Sequence, residues 1–365
     1  MTLVCQVVSS MDDDFFSRFK NRVLRERIPL SGSIELTTRC NFNCVHCYLP
    51  TDSRKNPAPD ADTGRVLSWI DDLAEAGCLY LLLTGGEPLL RKDFSDIYTH
   101  ARQRGMMVSV FTNGSTVTDE HLRLFKEYPP TEIEISVYGA SPETYQQITG
   151  SANAYSKAMA GIDALHRSGV RIKLKTVLMD LNHDDLPAIE DLARKLGVGF
   201  RFDPAVMPRL DGDRSPILHR VSPDAAVECE FRDADRFKKW AEFWKKTEKT
   251  GIDTWLYVCG AGMTCFHITA SGILQPCLMS TEVRHDLNQS DFRTGWAKMG
   301  EIISRIKAGS QHPCKGCELI TICGYCPPFF KLETGSEHIR PDFLCRIGHI
   351  RLEKIMNDGV LNEDE

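Results

Sequence analysis

Hydrophobic and polar positions follow two alternating periods between residues 34 and 203. Short runs of branched and aromatic residues predict strands at 34–37, 79–83, 107–111, 132–136, 171–177 and 198–202. Segments with apolar positions three or four residues apart predict helices between them, at 63–76, 93–104, 119–126, 155–168 and 186–196. Because crossovers between parallel strands are right-handed, we expect an α/β fold. The six units should form an open, partial (β/α)6 barrel with its active loops at the carboxyl ends of the strands.

The pattern changes after the sixth predicted strand. Residues 204–213 are rich in Pro, Gly and charge and predict a boundary loop, and 233–250 predicts a polar helix bearing aromatic residues. From Cys259 onward long periodic runs are lacking, so we expect metals rather than a conventional core to organise this region. The predicted division is an N-terminal segment at 1–30, a barrel at 31–205, a linker with a helix at 206–256, a cysteine-rich domain at 257–350 and a tail at 351–365.

Composition narrows the class of protein. The 365 residues, 42% of them hydrophobic, suffice for one large domain and a smaller one. The net charge is -6 and the basic residues are scattered among carboxylates, so we expect no nucleic-acid partner. The first ten residues lack a signal-peptide pattern, and the most apolar run, 79–83, is far shorter than the roughly 20 residues of a membrane span. We therefore expect a cytoplasmic protein without a membrane partner.

Three of the fourteen cysteines follow the first predicted strand with the spacing Cys-x3-Cys-x2-Cys, at Cys40, Cys44 and Cys47. Three thiolates on one loop can hold three irons of a cubane and leave the fourth iron open to a chelating small molecule. A zinc site completed by His46, or three incidental thiols, is the alternative. The isolated cysteines, expected to be small thiols without a function, are Cys5, Cys78 and Cys229.

Polar groups and glycines follow the next strands. The second strand ends in Gly85-Gly86-Glu87, in which the glycines permit close backbone approach and the carboxylate can pair with an ammonium group. Asn113 follows the third strand, and Ser136 ends the fourth. Each is an ordinary turn signal by itself. Their joint placement on successive strand ends predicts a ligand site there.

These motifs closely resemble the radical S-adenosylmethionine (SAM) superfamily over roughly residues 31–205. The resemblance implies that Cys40, Cys44 and Cys47 bind a [4Fe-4S] cluster whose open iron is chelated by SAM. It also implies the remaining cofactor contacts: His46 near adenine, Gly85, Gly86 and Glu87 at the SAM amino group, and Asn113 and Ser136 at ribose or carboxylate. Reductive cleavage of SAM would then yield methionine and a 5'-deoxyadenosyl radical that removes hydrogen from an unreactive carbon.

One position departs from the superfamily pattern. Many relatives carry an arginine after the fourth strand, where this chain has Ile148-Thr149-Gly150. The SAM carboxylate would then need another partner, for which Lys173 and Lys175 are candidates.

Eight further cysteines form a second group, with two Cys-x2-Cys pairs near its end. Eight thiolates fit two fully ligated [4Fe-4S] clusters. Zinc is the alternative, although the five residues between the pairs are far fewer than the roughly 15 to 20 usual between zinc knuckles. The region resembles the SPASM domain over about residues 259–349. That resemblance implies one auxiliary cluster on Cys259, Cys265, Cys277 and Cys326 and another on Cys314, Cys317, Cys323 and Cys345. The pair Cys323 and Cys326 is one residue closer than the family usually has it.

SPASM enzymes mostly modify side chains of ribosomally made peptides or proteins by crosslinking or oxidation. The resemblance therefore implies a radical SAM oxidoreductase of this type, with three [4Fe-4S] clusters and SAM as cofactors. A dehydrogenase or tailoring enzyme for a small molecule or cofactor precursor is the alternative, and an iron-sulfur carrier or zinc module is a non-enzymatic one. Leu278 stands where the similar sulfatase-maturation enzymes have a catalytic aspartate, which argues against that activity.

The same resemblance implies three partners. They are a peptide or protein substrate, an external one-electron reductant of the flavodoxin or ferredoxin type, and a separate leader-recognition protein. The residues before Ile34 are too few for a leader-binding winged helix, so we expect either this separate protein or no leader at all. The residue pattern alone identifies no catalytic acid or base.

Overall fold

The computed structural model describes residues 14–55, 57–247, 249 and 251–357. Cys5 and the ends of the predicted N-terminal segment and tail lie outside these residues. The helices are α1 (Asp14–Glu26), α2 (Thr51–Lys55), α3 (Thr63–Glu75), α4 (Phe94–Gln103), α5 (Asp119–Glu127), α6 (Pro142–Thr149), α7 (Ala154–Arg167), α8 (Leu186–Leu196), α9 (Pro223–Phe231), α10 (Ala234–Lys246), α11 (Phe292–Ile303), α12 (Pro327–Thr334) and α13 (Asp342–Asn357).

Six parallel strands form the α/β core that the sequence predicts. They are β1 (Ser31–Glu35), β2 (Tyr80–Thr84), β3 (Met107–Thr112), β4 (Glu132–Ser136), β5 (Ile172–Val177) and β6 (Gly199–Asp203). Each pairs with the next in chain order, which is the order of the predicted barrel. The strand β1 begins at Ser31, before the predicted start, because its first residues have no apolar side chains to signal a strand. All six carboxyl ends therefore lie along one edge of the sheet.

Five predicted helices appear as α3, α4, α5, α7 and α8, whereas α6 is an addition between β4 and α7. Ser141 accepts from the Thr144 amide at the start of α6, Pro142 follows it, and Gly150 ends the helix at a φ of 67°. These are normal start and stop signals, but the helix has only eight residues and shows little periodicity. Its carboxyl end lies beside the cysteine loop, where it has a direct role.

The sheet continues beyond β1 into the cysteine-rich part of the chain. The strand β7 (Cys265–Ile268) pairs with β1 in parallel, and β8 (Ile273–Gln275) and β9 (His285–Asp286) follow antiparallel. Gly32 on β1 lies against the Phe266 ring, since a Cβ built on Gly32 would be 2.0 Å from Cζ of that ring. The result is a mixed sheet of nine strands in the described part of the chain.

The expectation that metals replace a conventional core after Cys259 needs correction. Phe266, Leu274, Phe292 and Trp296 are buried and belong to the same hydrophobic core as β1 and β2. Phe266 and Phe292 pack edge to face with ring centroids 5.1 Å apart. The strands here have two to four residues, too few to show a period in the sequence, so tertiary packing alone reveals them.

The linker and the end of the chain pack together. Helices α9 and α13 contact each other, and Arg351 on α13 donates to both carboxylate oxygens of Glu230 on α9, at 2.7 and 2.5 Å. Both side chains are buried, so removing either would leave an uncompensated charge. Within the described residues, no helix is both long and apolar enough to cross a membrane.

Candidate functional site

The cysteine loop follows β1 and lines a cavity of about 400 Å³ at the carboxyl edge of the sheet. Cys40, Cys44 and Cys47 all contribute to the cavity wall. The end of α6 holds the loop backbone, because Asn43 N donates to Thr149 O at 2.8 Å and Val45 N donates to Ile148 O at 2.9 Å. The segment that departs from the superfamily pattern therefore supports the loop from behind.

The glycine pair after β2 lies directly against the start of this loop. Gly86 N donates to Thr37 O at 2.7 Å, and Glu87 N donates to Arg39 O at 2.9 Å. A Cβ on Gly86 would lie 2.4 Å from Arg39 O, closer than any real side chain allows. Gly85 has a φ of 150°, which favours glycine, and both glycines line the cavity. Only glycine permits this approach.

The Glu87 side chain is not part of the cavity wall. It is completely buried and accepts hydrogen bonds from Leu89 N at 3.1 Å, Thr112 Oγ1 at 2.8 Å and Asn113 N at 2.7 Å. Burial raises the pKa of Glu87 to about 7, against the effect of these donors. The carboxylate thus joins the ends of β2 and β3, and its predicted contact with the SAM amino group stays a prediction.

The other predicted cofactor contacts gather at the same cavity. His46, Asn113 and Ser136 all line it. The Asn113 amide donates to Asn41 Oδ1 at 2.9 Å and approaches Cys40 Sγ at 3.9 Å. The His46 and Tyr138 rings lie 5.0 Å apart between centroids. The loop cysteines and the strand-end polar groups, separated by up to 96 positions in sequence, therefore face one space.

The donor set fits an iron-sulfur cluster. Three soft thiol ligands lie on one loop, and burial raises the pKa of Cys40 to about 12. Among the described residues, no three His, Cys, Asp or Glu side chains converge to hold a single metal ion. A single metal ion needs all its sulfur donors within about 2.3 Å of itself, whereas each thiolate of a cubane binds a different iron. Thiols that are further apart therefore suit a cubane better than a single ion.

The C-terminal cysteines fall into two neighbourhoods. Burial raises the pKa of Cys326, and so do the charges of Cys277 and Cys259. These three thiols are therefore close enough to interact. Cys265 and Cys277 also line the cavity. Burial raises the pKa of Cys323 to about 12, and its other thiol neighbours are Cys314, Cys317 and Cys345. The division of these thiols into two ligand sets stays a prediction. The isolated thiols Cys78 and Cys229 are buried elsewhere.

Sequence reasoning missed Arg209, which reaches the cysteine loop from the segment after β6. Its Nη1 donates to Cys47 O at 2.6 Å and to Leu49 O at 3.3 Å, and Nε donates to Asp213 at 2.9 Å. Leu210 N adds a bond to Tyr48 O at 2.9 Å. No local pattern could reveal this contact, because Arg209 and Cys47 lie 162 positions apart.

His267 on β7 is a second missed residue. It lines the cavity, and its Nδ1 lies 2.9 Å from the Ser33 hydroxyl on β1. Burial lowers the pKa of His267 to about 4, so the imidazole is neutral near pH 7. Of the two lysines considered for a carboxylate contact, Lys175 lines the cavity and Lys173 does not.

Comparisons with known proteins agree with this geometry. The radical SAM superfamily profile matches residues 34–193. An AdoMet-dependent heme synthase from Methanosarcina barkeri (strain Fusaro / DSM 804) is 25% identical over 315 residues, covering 80% of this chain and 89% of that protein. A Fe-coproporphyrin III synthase from the same organism is 34% identical over 158 residues, covering 43% of this chain and only 39% of that protein.

A solved structure of Streptococcus suis SuiB bound to precursor peptide SuiA superposes with a TM-score of 0.69 at 14% identity. The match covers 92% of this chain and 82% of that one. Identity this low shows a shared fold alone. Together with the cysteine loop and the strand-end glycines, the profile match identifies residues 34–193 of this chain as a radical SAM domain.

Proposed function

We propose that this enzyme removes a hydrogen atom from a side chain of a peptide or protein, leading to a crosslink or an oxidation. Cys40, Cys44 and Cys47 would hold the SAM-binding [4Fe-4S] cluster. When bound, this cluster supplies the electron that splits SAM into methionine and the 5'-deoxyadenosyl radical. The observation that carries the proposal is one cavity walled by these cysteines and also by Cys265 and Cys277.

The chain itself orients the reactants and excludes water. Gly86 and the end of α6 fix the cysteine loop from two sides, and the Asn113 amide lies next to Cys40 Sγ. The cavity wall is mainly apolar and includes Phe42, Leu49, Val206, Met207 and Met279. Such a wall keeps water and stray hydrogen donors away from a radical.

The C-terminal region would be a SPASM domain at 257–350, following the barrel at 31–205 and the linker at 206–256. Its two cysteine neighbourhoods support two auxiliary [4Fe-4S] clusters with four thiolates each. Closed clusters favour electron transfer over direct substrate ligation. An external flavodoxin or ferredoxin would supply the first electron.

A peptide substrate is supported by a second groove of about 170 Å³ that shares Met279 with the main cavity. Leu210, Asp211, Lys331 and Glu337 also line this groove. Its position offers an extended chain a path to the site. A separate leader-recognition protein would then present the peptide.

Anaerobic reconstitution with iron, sulfide, SAM and dithionite tests the SAM chemistry. The wild type should release 5'-deoxyadenosine, and Cys44→Ala should not. Cys229→Ala is the matched control, since Cys229 is a buried thiol outside the cavity. Release by Cys44→Ala at the wild-type rate would contradict the proposed ligand set. Small peptides encoded next to the gene for this enzyme can be coexpressed with it anaerobically. A mass change in one of them, detected by mass spectrometry, would identify a peptide substrate.

A second candidate is a carboxylated tetrapyrrole substrate. It is favoured by the similarity to the heme synthase over 80% of this chain, with the Fe-coproporphyrin III synthase as a further relative. Incubation of the reconstituted enzyme with Fe-coproporphyrin III, followed by liquid chromatography and mass spectrometry, distinguishes the two. Conversion of the porphyrin would replace the peptide proposal, whereas an unchanged porphyrin together with a modified peptide would support it.

A further inference from the structure

Four charged side chains from three neighbouring strands meet beneath the strand-end motifs; we call them the Glu134 cluster. Arg201 on β6 donates to Glu134 on β4 through Nε, at 3.1 and 3.2 Å, and through Nη2, at 2.5 Å. The ammonium groups of Lys175 and Lys173 on β5 lie 3.6 and 3.9 Å from the same carboxylate. One carboxylate thus faces three cations.

The positively charged and negatively charged side chains of the cluster differ in their contact with the cavity. Lys175 and Arg201 line the cavity, whereas Glu134 is 2% exposed and lies behind them. Lys175 Nζ also sits 3.0 Å from the centroid of the Phe111 ring. Asp203 lines the cavity further along β6, and one of its oxygens already accepts from Ala205 N at 2.9 Å. Two basic side chains and one carboxylate, Asp203, therefore line this part of the cavity.

The nearby carboxylates do not fully offset the cost of burying these basic side chains. Burial lowers the pKa of Lys175 to about 7 despite the nearby Glu134, so holding this ammonium group in the protein is unfavourable. A buried charge without full compensation is costly unless a partner arrives. An anion entering the cavity would supply the missing negative charge and form charge-assisted hydrogen bonds.

We infer that Lys175 and Arg201 bind a carboxylate of the substrate and so orient the carbon that loses hydrogen. This inference rests on the proposed radical chemistry at the same site. The predicted SAM contacts lie at the ends of β2 to β4, whereas the two cations extend from β5 and β6 to the Phe111 ring of β3, at 3.0 and 5.8 Å from its centroid. They therefore border the predicted SAM site and can face a second ligand beside it. The carboxylate can belong to an acidic residue of a peptide or to a carboxylated small molecule.

Binding to the reconstituted, SAM-loaded enzyme tests the inference without turnover. The probes are N-acetylglutamate amide, standing for an acidic peptide residue, and Fe-coproporphyrin III, standing for a carboxylated small molecule. Their neutral counterparts are N-acetylglutamine amide and the porphyrin tetramethyl ester. Isothermal titration should show that one carboxylate probe binds and its counterpart does not. Which probe binds identifies the source of the carboxylate, and binding of neither would overturn the inference.

Substitutions then locate the binding. Lys175→Met and Arg201→Met should each weaken the carboxylate probe about 10-fold or more. Lys173→Met is the matched control, because Lys173 also faces the Glu134 carboxylate but does not line the cavity. This variant should bind the probe with wild-type affinity. Lys175→Arg keeps the charge and should preserve binding, which guards against misfolding of the methionine variant. Equal losses in Lys173→Met and Lys175→Met would contradict the inference.

A SAM measurement separates this inference from the proposed function. The affinity for SAM should be unchanged in Lys175→Met and Arg201→Met. If it falls instead, the two cations serve the SAM carboxylate and the inference is wrong. Failure of the proposed function would appear differently, as a wild type that releases no 5'-deoxyadenosine while the probe titrations remain readable.

Discussion

Glu35 shows at the scale of one residue how burial sets a charge near the site. It ends β1, is buried, and its Oε1 has no hydrogen-bond partner among the residues that the structure describes. Burial first, and then the charge of Asp60, raise the pKa of Glu35 to about 7, while the Ala270 amide opposes the shift. The folded protein therefore holds a proton that the unfolded chain releases at lower pH.

This proton gives stability a defined pH dependence. Because the folded pKa exceeds the unfolded value of 4.5, the contribution to stability is full below that value and is lost as pH rises through about 7. Glu35 should therefore lower the melting temperature across this range, and Glu35→Gln should remove that contribution. The contribution of Glu87 has the same sign, and that of His267 has the opposite sign below about pH 6.5. Differential scanning fluorimetry from pH 5 to about pH 8 measures the melting temperature. An unchanged slope in Glu35→Gln would show that Glu35 is ionised in the fold.

Gly86 allows a second expectation at the same scale. In Gly86→Ala the new methyl group would collide with Arg39 O and Thr38 O, so the cysteine loop must shift. We expect a loss of about 1–3 kcal/mol in unfolding free energy and reduced iron content. Gly309→Ala is the control, since nothing lies within 4 Å of a Cβ there. Denaturant titration measures the unfolding free energy, and iron analysis measures the iron content. Wild-type values of both in Gly86→Ala would show that the backbone accommodates the methyl group and that the expectation is wrong.

Among the elements, the segment between β6 and α9 adds a further clamp on the cysteine loop. Arg209 is 7% exposed and binds the loop backbone at Cys47 and Leu49, so it acts as a positioning residue. A guanidinium beside the cluster loop also adds positive potential, which affects the ease of reduction.

We therefore expect Arg209→Met to lower the rate of 5'-deoxyadenosine release about 10- to 100-fold and to shift the reduction potential of the SAM-binding cluster downwards. Arg214→Met provides a matched control, because Arg214 is exposed on the same segment. Spectroelectrochemistry distinguishes this from simple instability. A variant with slower release but wild-type potential would limit Arg209 to a packing role.

Across the whole molecule, the chain after Cys259 both extends the sheet of the radical SAM domain and adds cysteines to its cavity. The strand β7 pairs with β1, which places Cys265 and His267 beside Ser31 and Ser33. The first C-terminal thiol neighbourhood therefore borders the site, whereas the second, around Cys323, lies outside the cavity wall. This arrangement suits an electron path leading away from the substrate.

Cys345→Ala tests that path. Its removal should lower the iron content by about four per chain and abolish substrate turnover, while SAM cleavage persists. Cys229→Ala should keep full iron content and turnover, since Cys229 lies in neither neighbourhood. Iron analysis, 5'-deoxyadenosine release and product mass are measured together. If Cys345→Ala lost the iron of this cluster and still turned over substrate at the wild-type rate, the cluster would not relay electrons.

Short-range pattern determined much of this protein. The alternation of strands and helices, the cysteine triplet and the strand-end glycines depend on neighbouring residues, so periodicity and spacing were enough to predict the six-stranded parallel core. The helix α8 has the predicted bounds, 186–196. The candidate cofactor contacts other than Glu87 line one cavity, because parallel strands end along one edge.

Only the tertiary structure decided how distant segments complete the site. Lys173 and Lys175 lie on the same face of β5, but only Lys175 lines the cavity. Sequence spacing cannot predict this difference between the two lysines. Arg209 reaches Cys47, and β7 reaches β1, across more than 160 positions. Such contacts depend on how the core packs, and packing is a property of the whole fold rather than of any local run of residues.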